Sequence, residues 1–375
     1  MSLTSNIRAD GARFVELTGW LVGHETPTRD VARCAALAGE LMSWARDLGA
    51  VVEMRDVPGR GPHVAARWGA DHGVSTLVLM HYDTVWPVGT LADRPFQHRD
   101  GVLTGPGTLD MKGGIAVFQL AMEHVVAGQR SLAGPVTALF TSDEEDGSET
   151  SRSWIEAEAR AHDRTFCLEP GADPFSLRME RKGVGRYIAR FTGVASHAGN
   201  APEQGASAVL EASRFALATA GLNDPAAGIS CVVGVFSGGT VVNVVPERAE
   251  LEIDVRVWTE AQAAHIDAAL RSFEPRDPRV SFELVGGMNR PPLQQSGPAD
   301  ALFTQAVVVA AGIGRVLGRA AVGGGSDGSF AAAVGCPTLD GLGASGDGPH
   351  TIGEHVRVTD SLDKAAIVAA LLTES

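Results

Sequence analysis

STLVLMHYD, residues 75–83, is a short apolar run that ends abruptly in polar side chains. Two later stretches repeat its form: VTALFTSDEED at 136–146 and RTFCLEPG at 164–171. Apolar runs of this length, bounded by polar residues, are expected of strands buried on both faces. Between the first two lies a helical pattern that places Ile115, Phe118, Met122 and Val125 on one face. Residues 11–23 and 30–48 also read as helices, the second with Val31, Cys34, Leu37, Leu41 and Trp44 at helical spacing. Strands alternating with helices predict an α/β domain with a mostly parallel sheet between helices. Ligands of such sheets bind at the C-terminal strand ends. The acidic and imidazole side chains of the three stretches fall at those ends.

The pattern changes near residue 178. GVGRYIARFTG, a helix around 206–220, ISCVVGVFSG, RAELEIDVRVW, a helix around 259–272 and RVSFELVGG follow in order. This is β-α-β-β-α-β, the ferredoxin-like split unit. After Pro291 and Pro292 the alternating style resumes. The expected layout is a catalytic domain in two parts, 1–177 and 288–375, with an α+β domain, 178–287, inserted between them.

The net charge of −14 disfavours a nucleic acid partner, whose phosphates call for a basic surface. Cys34, Cys167, Cys231 and Cys336 lie far apart without a CxxC pair and read as reduced core residues. The first residues, MSLTSNIRADGARF, lack a signal-peptide core, and no stretch reaches the length of a membrane span. A cytoplasmic protein is the expectation, a periplasmic one if an export signal has been removed.

Five segments offer metal ligands: His81 and Asp83 in MHYDT, Asp110 in GPGTLDMKGG, Glu144 and Glu145 in TSDEED, Glu169 in CLEPG and His350 in GDGPHTIGEH. Each alone is weak, because a single His or Asp on a loop is more often a turn or solvated residue. Three of the segments end strands of one expected sheet, so they converge. Imidazoles with carboxylates and no thiolate suit Zn²⁺, with Mn²⁺ or Co²⁺ as alternatives. Asp110 is expected at a helix start, where the helix dipole favours a carboxylate and a simple N-cap is the plainer reading.

Competing motifs are present. GGGSDG, residues 323–328, matches the dinucleotide fingerprint but lies too near the C-terminus to open the expected βαβ pair. It also contains GGSDG, a match to the GxSxG nucleophile elbow, and Ser326, Asp347 and His350 fall in the order of a serine hydrolase triad. TSDEEDGS lacks the acidic spacing of an EF-hand loop.

HYDT, GPGTLDMKGG, TSDEED, LEPG, SHAGNAPEQGASA, NVVPERAELEIDVR, GGGSDGS and GPHTIGEHV together resemble the M20 metallopeptidases, in order and over nearly the whole chain. The glutamate carboxypeptidase branch is the most similar. The resemblance implies a zinc-exopeptidase-like catalytic domain with an inserted lid and dimerisation domain. It implies two zinc ions bridged by Asp110, with His81 and Glu169 completing one site and Glu145 and His350 the other. Asp83 would orient the His81 ring and Glu144 would be the general base. His197 in SHAG would reach into the partner subunit's site, which requires a homodimer formed through the inserted domain. Arg256 in DVR would grip a substrate carboxylate, with Asn243 and Lys182 nearby. The expected reaction is hydrolysis of an amide bond in a small-molecule or peptide substrate bearing a free carboxylate, releasing a C-terminal glutamate. An N-acyl-amino-acid deacylase or desuccinylase shares the chemistry. A Ser326 hydrolase and a binding protein without activity are the readings from other classes.

Overall fold

The computed structural model describes residues 2–69, 72–294 and 296–373. The chain divides into two compact units, one of Met1–Glu180, Gln295–Val322 and Ser326–Ser375, the other of Arg181–Gln294 with Gly323–Gly325. The second unit thus runs a few residues beyond the expected 287 and gains a separate glycine segment.

The first unit is built on a six-stranded sheet in the order Val51–Arg55, His63–Trp68, Val136–Thr141, Thr76–His81, Arg164–Cys167, Thr338–Asp340. The last four run parallel, and the first two join antiparallel. All residues of Thr76–His81, Val136–Thr141 and Arg164–Cys167 are buried, as a sheet covered on both faces requires. Strand alternation sorts their side chains between two cores. Val78, Met80, Ala138, Phe140 and Phe166 join the large core shared with helices Gly11–Val22, Val31–Asp47, Gly113–Ala127 and Val358–Leu372. Leu77, Leu79, Leu139 and Cys167 face the other side, against Trp154, Ile155 and Phe330.

Several elements depart from the sequence reading. Helix Leu3–Ala9 and strands Val51–Arg55 and His63–Trp68 carry no long apolar pattern of their own. Helix Gly113–Ala127 buries the whole run from Gly113 to Met122, not a single stripe, because it lies inside the helical layer. Asp110 does not cap that helix. It sits in the irregular turn Thr108–Lys112 with non-helical φ −112° and ψ 97°, and the α-helix begins three residues later.

The second unit is a four-stranded antiparallel sheet in the order Ser230–Gly238, Arg248–Val257, Gly183–Thr192, Ser281–Arg290. Helices Ala208–Ala220 and Glu260–Arg271 complete the β-α-β-β-α-β unit, the second opened by a capping box between Thr259 and Gln262. One face packs Tyr187, Ala189, Phe191, Leu251, Ile253 and Val255 against the helices. The architecture is mixed α/β with a mostly parallel sheet, into whose chain the second, α+β unit is inserted. Among the described residues no helix is long and apolar enough to cross a membrane. All four cysteines are free and buried.

Candidate metal centre

The C-terminal ends of three neighbouring parallel strands build the site. His81 is the last residue of Thr76–His81, Glu144 and Glu145 follow Val136–Thr141, and Glu169 follows Arg164–Cys167. The turn Thr108–Lys112 brings in Asp110. His350, at a φ of 60°, arrives from the far end of the chain.

Two groups of potential ligand atoms result, His81 with Asp110 and Glu169, and Asp110 with Glu145 and His350, each with its atoms within 4.8 Å of one another. Asp110 belongs to both. Its Oδ1 lies 3.1 Å from His81 Nε2 and its Oδ2 lies 3.1 Å from His350 Nε2. Glu169 Oε1 stands 3.4 Å from His81 Nε2, and Glu145 Oε2 stands 3.3 Å from His350 Nε2.

The surroundings are polar but committed. Asp83, fully buried, accepts the Thr28 hydroxyl at 2.8 Å and the backbone N–H groups of Glu144 at 3.3 Å and Glu145 at 3.2 Å. One of its oxygens also lies 3.4 Å from His81 Nδ1. His81 Nδ1 lies nearer still to the Asp83 backbone carbonyl, at 3.1 Å, so Asp83 meets the imidazole and the Glu144–Glu145 backbone together. Glu354, which the sequence reading did not single out although it lies in GPHTIGEHV, accepts the N–H groups of Gly107, Leu109 and Asp110 and the Trp86 indole N–H.

The electrostatics of this carboxylate cluster favour positive charge. Burial disfavours a charged His81, yet hydrogen bonds to Asp110, Asp83 and Glu169 outweigh it and hold its pKa well above the usual imidazole range. Hydrogen bonds to Asp110 and Glu145 lift His350 to about 11. Burial pushes Glu145 up to about 7. Its Oε1 is buried with no hydrogen-bond partner, a costly state for a carboxylate oxygen. Imidazole and carboxylate donors, a shared aspartate and an orphaned buried oxygen fit metal cations, which would replace the protons that the cluster otherwise gathers.

The serine hydrolase reading fails on geometry. The buried Ser326 hydroxyl donates to Asp340, not to an imidazole, and accepts the Gly328 N–H. Asp347 accepts the N–H of Gly348, while His350 faces Asp110 and Glu145. GGSDG here ends in a short helix, Gly328–Ala333, that leaves Ser326 inside.

The remaining sequence-predicted residues lie in the second unit. His197 is exposed, and its Nδ1 accepts the backbone N–H groups of Gly199 at 3.1 Å and Asn200 at 3.0 Å. A ring nitrogen that accepts carries no proton, which leaves Nε2 as the ring's N–H donor. Asn243 lies beside it, its carbonyl accepting the Ala198 N–H at 2.9 Å. Arg256 makes a bidentate pair with Asp254, both contacts 2.8 Å. Lys182 holds its ammonium 5.2 Å from the centre of the Trp258 ring.

The family model described as Peptidase family M20/M25/M40 matches residues 77–374. The chain belongs to the M20 peptidase family. An M20 hydrolase is a metal-dependent peptidase or amidohydrolase. Carboxypeptidase G2 of Pseudomonas sp. (strain RS-16) is 33% identical over 344 residues, 88% of this chain and 81% of the relative. Succinyl-diaminopimelate desuccinylase of Methylibium petroleiphilum is 30% identical over 320 residues, 79% of this chain and 80% of the relative. Aminopeptidase PepT from Bacillus cereus shares the M20 fold with a TM-score of 0.79 at 23% identity, over 97% of this chain and 98% of its own. The M20 metallo-carboxypeptidase Sso-CP2 from Sulfolobus solfataricus gives 0.74 at 16% identity, over 96% and 97%.

Proposed function

We propose that this M20 hydrolase holds two zinc ions and cleaves the amide bond of a small substrate with a free carboxylate, releasing a C-terminal glutamate. The observation that carries the two-ion reading is the division of Asp110, one oxygen toward His81 and the other toward His350. His81 with Glu169 would hold one ion, and Glu145 with His350 the other. Such a pair supplies Lewis acidity for the amide carbonyl and acidifies a nearby water. The similarity to carboxypeptidase G2 supports a carboxypeptidase, and the motif resemblance to the glutamate carboxypeptidase branch supports glutamate as the residue released. The similarity to desuccinylases supports a second reading, an N-succinyl or other N-acyl amino acid cleaved by the same machinery.

In this mechanism the Glu144 carboxylate takes a proton from the attacking water and delivers it to the leaving nitrogen, a role typically worth about 10²–10⁴-fold in rate. Asp83 fixes the Glu144 backbone for that task. The His197 Nε2–H donates to the carbonyl oxygen as negative charge develops there. Arg256 grips the substrate carboxylate with its guanidinium fork, exchanging Asp254 for the ligand. Asn243 and Lys182 add polar contacts.

We also propose a homodimer through the inserted unit, in which His197 serves the partner's site. Strand Ser230–Gly238 is an edge of its sheet and exposes Val232, Val235 and Phe236 at 52%, 49% and 44%. The helix Ala208–Ala220 exposes Leu210 and Leu217 at 53% and 76%. An apolar edge of this kind invites pairing with a second copy.

The test is hydrolysis of folyl-glutamate, benzoyl-glutamate, N-acetyl-ornithine and N-succinyl-diaminopimelate, with and without chelator and added Zn²⁺. Zinc-dependent release of glutamate is the expected result. Zinc-dependent cleavage of another member alone would move the substrate to the second reading. Full activity in protein shown to be metal-free would overturn the proposal.

A further inference from the structure

Helix Gly113–Ala127 buries an unbroken run from Gly113 to Met122, and within it Gln119 is the single polar residue. Gln119 is fully buried, and neither its Nε2 nor its Oε1 has a hydrogen-bond partner. Buried side-chain amides are normally satisfied, so an orphaned one calls for a partner. Gln119 lies in the floor of a cleft of about 290 Å³, close to the lower end of the usual range for small-molecule sites, about 300–1,000 Å³. Helices Gly11–Val22 and Val31–Asp47 form the walls, with the indoles of Trp20 and Trp44.

The charge at the cleft is uneven. Arg13 is engaged by both Glu123 oxygens, at 2.9 and 2.8 Å, and by Glu16 at 3.0 Å. Glu40 and Asp47 also line the cleft, both exposed, and add two further carboxylates. The excess is therefore negative. A carboxylate-bearing substrate of the metal centre would be repelled here.

We propose that this cleft is a second small-molecule site, for a planar cationic aromatic carboxamide. A carboxamide complements the Gln119 amide, N–H to O and O to H–N, and satisfies both orphaned atoms at once. Indole faces accept a flat cation by stacking and cation–π attraction. Glu40 and Asp47 favour its positive charge. Both amide atoms are sealed from solvent in the structure, so this binding requires the wall side chains to move aside.

Calorimetric titration of the full-length, metal-loaded protein with 1-methylnicotinamide, and with neutral nicotinamide beside it, tests the site. Saturable binding of the cation is expected, weakened at least tenfold by Gln119→Leu and severalfold by Glu40→Gln with Asp47→Asn. Nicotinamide is expected to bind more weakly than the cation. No binding of either probe at millimolar concentration, or binding unchanged in Gln119→Leu, would overturn the proposal. Gln119→Met serves if the leucine variant does not fold. Thermal unfolding of the ligand-free variant gives an independent readout. Removing an unpaired amide is expected to raise the melting temperature, whereas a fall would mean that Gln119 already has partners and would count against the site.

Discussion

Glu354 accepts the backbone N–H of Asp110 at 3.1 Å, with its carboxylate wedged beneath the turn that carries the shared aspartate. The same side chain takes the N–H groups of Leu109 at 2.8 Å and Gly107 at 3.0 Å and the Trp86 indole N–H at 3.0 Å, and it is 1% exposed. Four donors on one buried carboxylate make it the anchor of the Asp110 turn. Glu354→Gln turns one acceptor into a donor that faces other donors. Loss of about 2–4 kcal/mol of stability is expected in urea unfolding. Zinc affinity, read by competition with a chelating dye, is expected to fall about 10–100-fold. Unchanged values in both measurements would contradict the anchoring role.

Ser326 gives the sharpest contrast between motif and geometry. With its hydroxyl given to Asp340, Ser326→Ala is expected to keep kcat within about twofold while losing roughly 1–3 kcal/mol of stability. A fluorophosphonate should leave the native protein unlabelled. Labelling at Ser326 would restore the serine hydrolase reading.

His197 is held in one tautomer by two backbone amides. Nitrogen NMR on the ring is expected to find the proton on Nε2 in the free protein. On the proposed role, His197→Ala should cost about 10²–10³-fold in kcat with a small change in KM, the range set by loss of an oxyanion-hole donor. His197→Gln, which keeps an N–H donor, should recover part of the loss. If glutamine recovers none, an imidazole-specific role would replace simple donation.

Lys364, buried in helix Val358–Leu372, carries a pH dependence of its own. Burial holds its ammonium down to about 7, from an ordinary 10.5. Its one hydrogen-bond acceptor among the described contacts is the Gly341 carbonyl, at 2.9 Å. Between those pH values the unfolded chain binds a proton that the folded chain does not. The contribution of Lys364 to stability therefore rises with pH from about 7 to 10.5, and below 7 the full cost of burying the charge remains. The melting temperature of the native protein minus that of Lys364→Met should climb across this window. A flat difference would show that the ammonium stays protonated in the fold.

The strands that carry the ligands were legible because burial on both faces leaves no room for polar residues within them, so their polar ends stand out. Convergence of His81, Glu145 and Glu169 follows from that, since parallel neighbours end on one side. Strand Val51–Arg55 escaped because it is an edge strand, mostly exposed, and VVEMR has no alternation to read. Strand His63–Trp68 escaped because its buried alanines carry little β preference. The Asp110 turn read as a helix start because nothing local reveals that Glu354, far along the chain, holds its backbone out of helical form. Ser326 misled for the same reason: GGSDG is a local pattern, and what decides its role is Asp340.

The discontinuous first unit bears on the order in which a growing chain can assemble. Strand Thr338–Asp340, His350 and helix Val358–Leu372 all follow the inserted segment Arg181–Gln294. As the chain leaves the ribosome, the inserted unit has nearly all its residues while the first still lacks helices Gly297–Gly312, Gly328–Ala333 and Val358–Leu372, strand Thr338–Asp340 at the sheet edge, and the imidazole of His350. Acidic groups gathered for a cation must then wait, with an open sheet edge beside them, for the segment after residue 294 to be made. Translation speed through the segment after residue 294, and the supply of metal at that moment, become determinants of how much active protein a cell obtains.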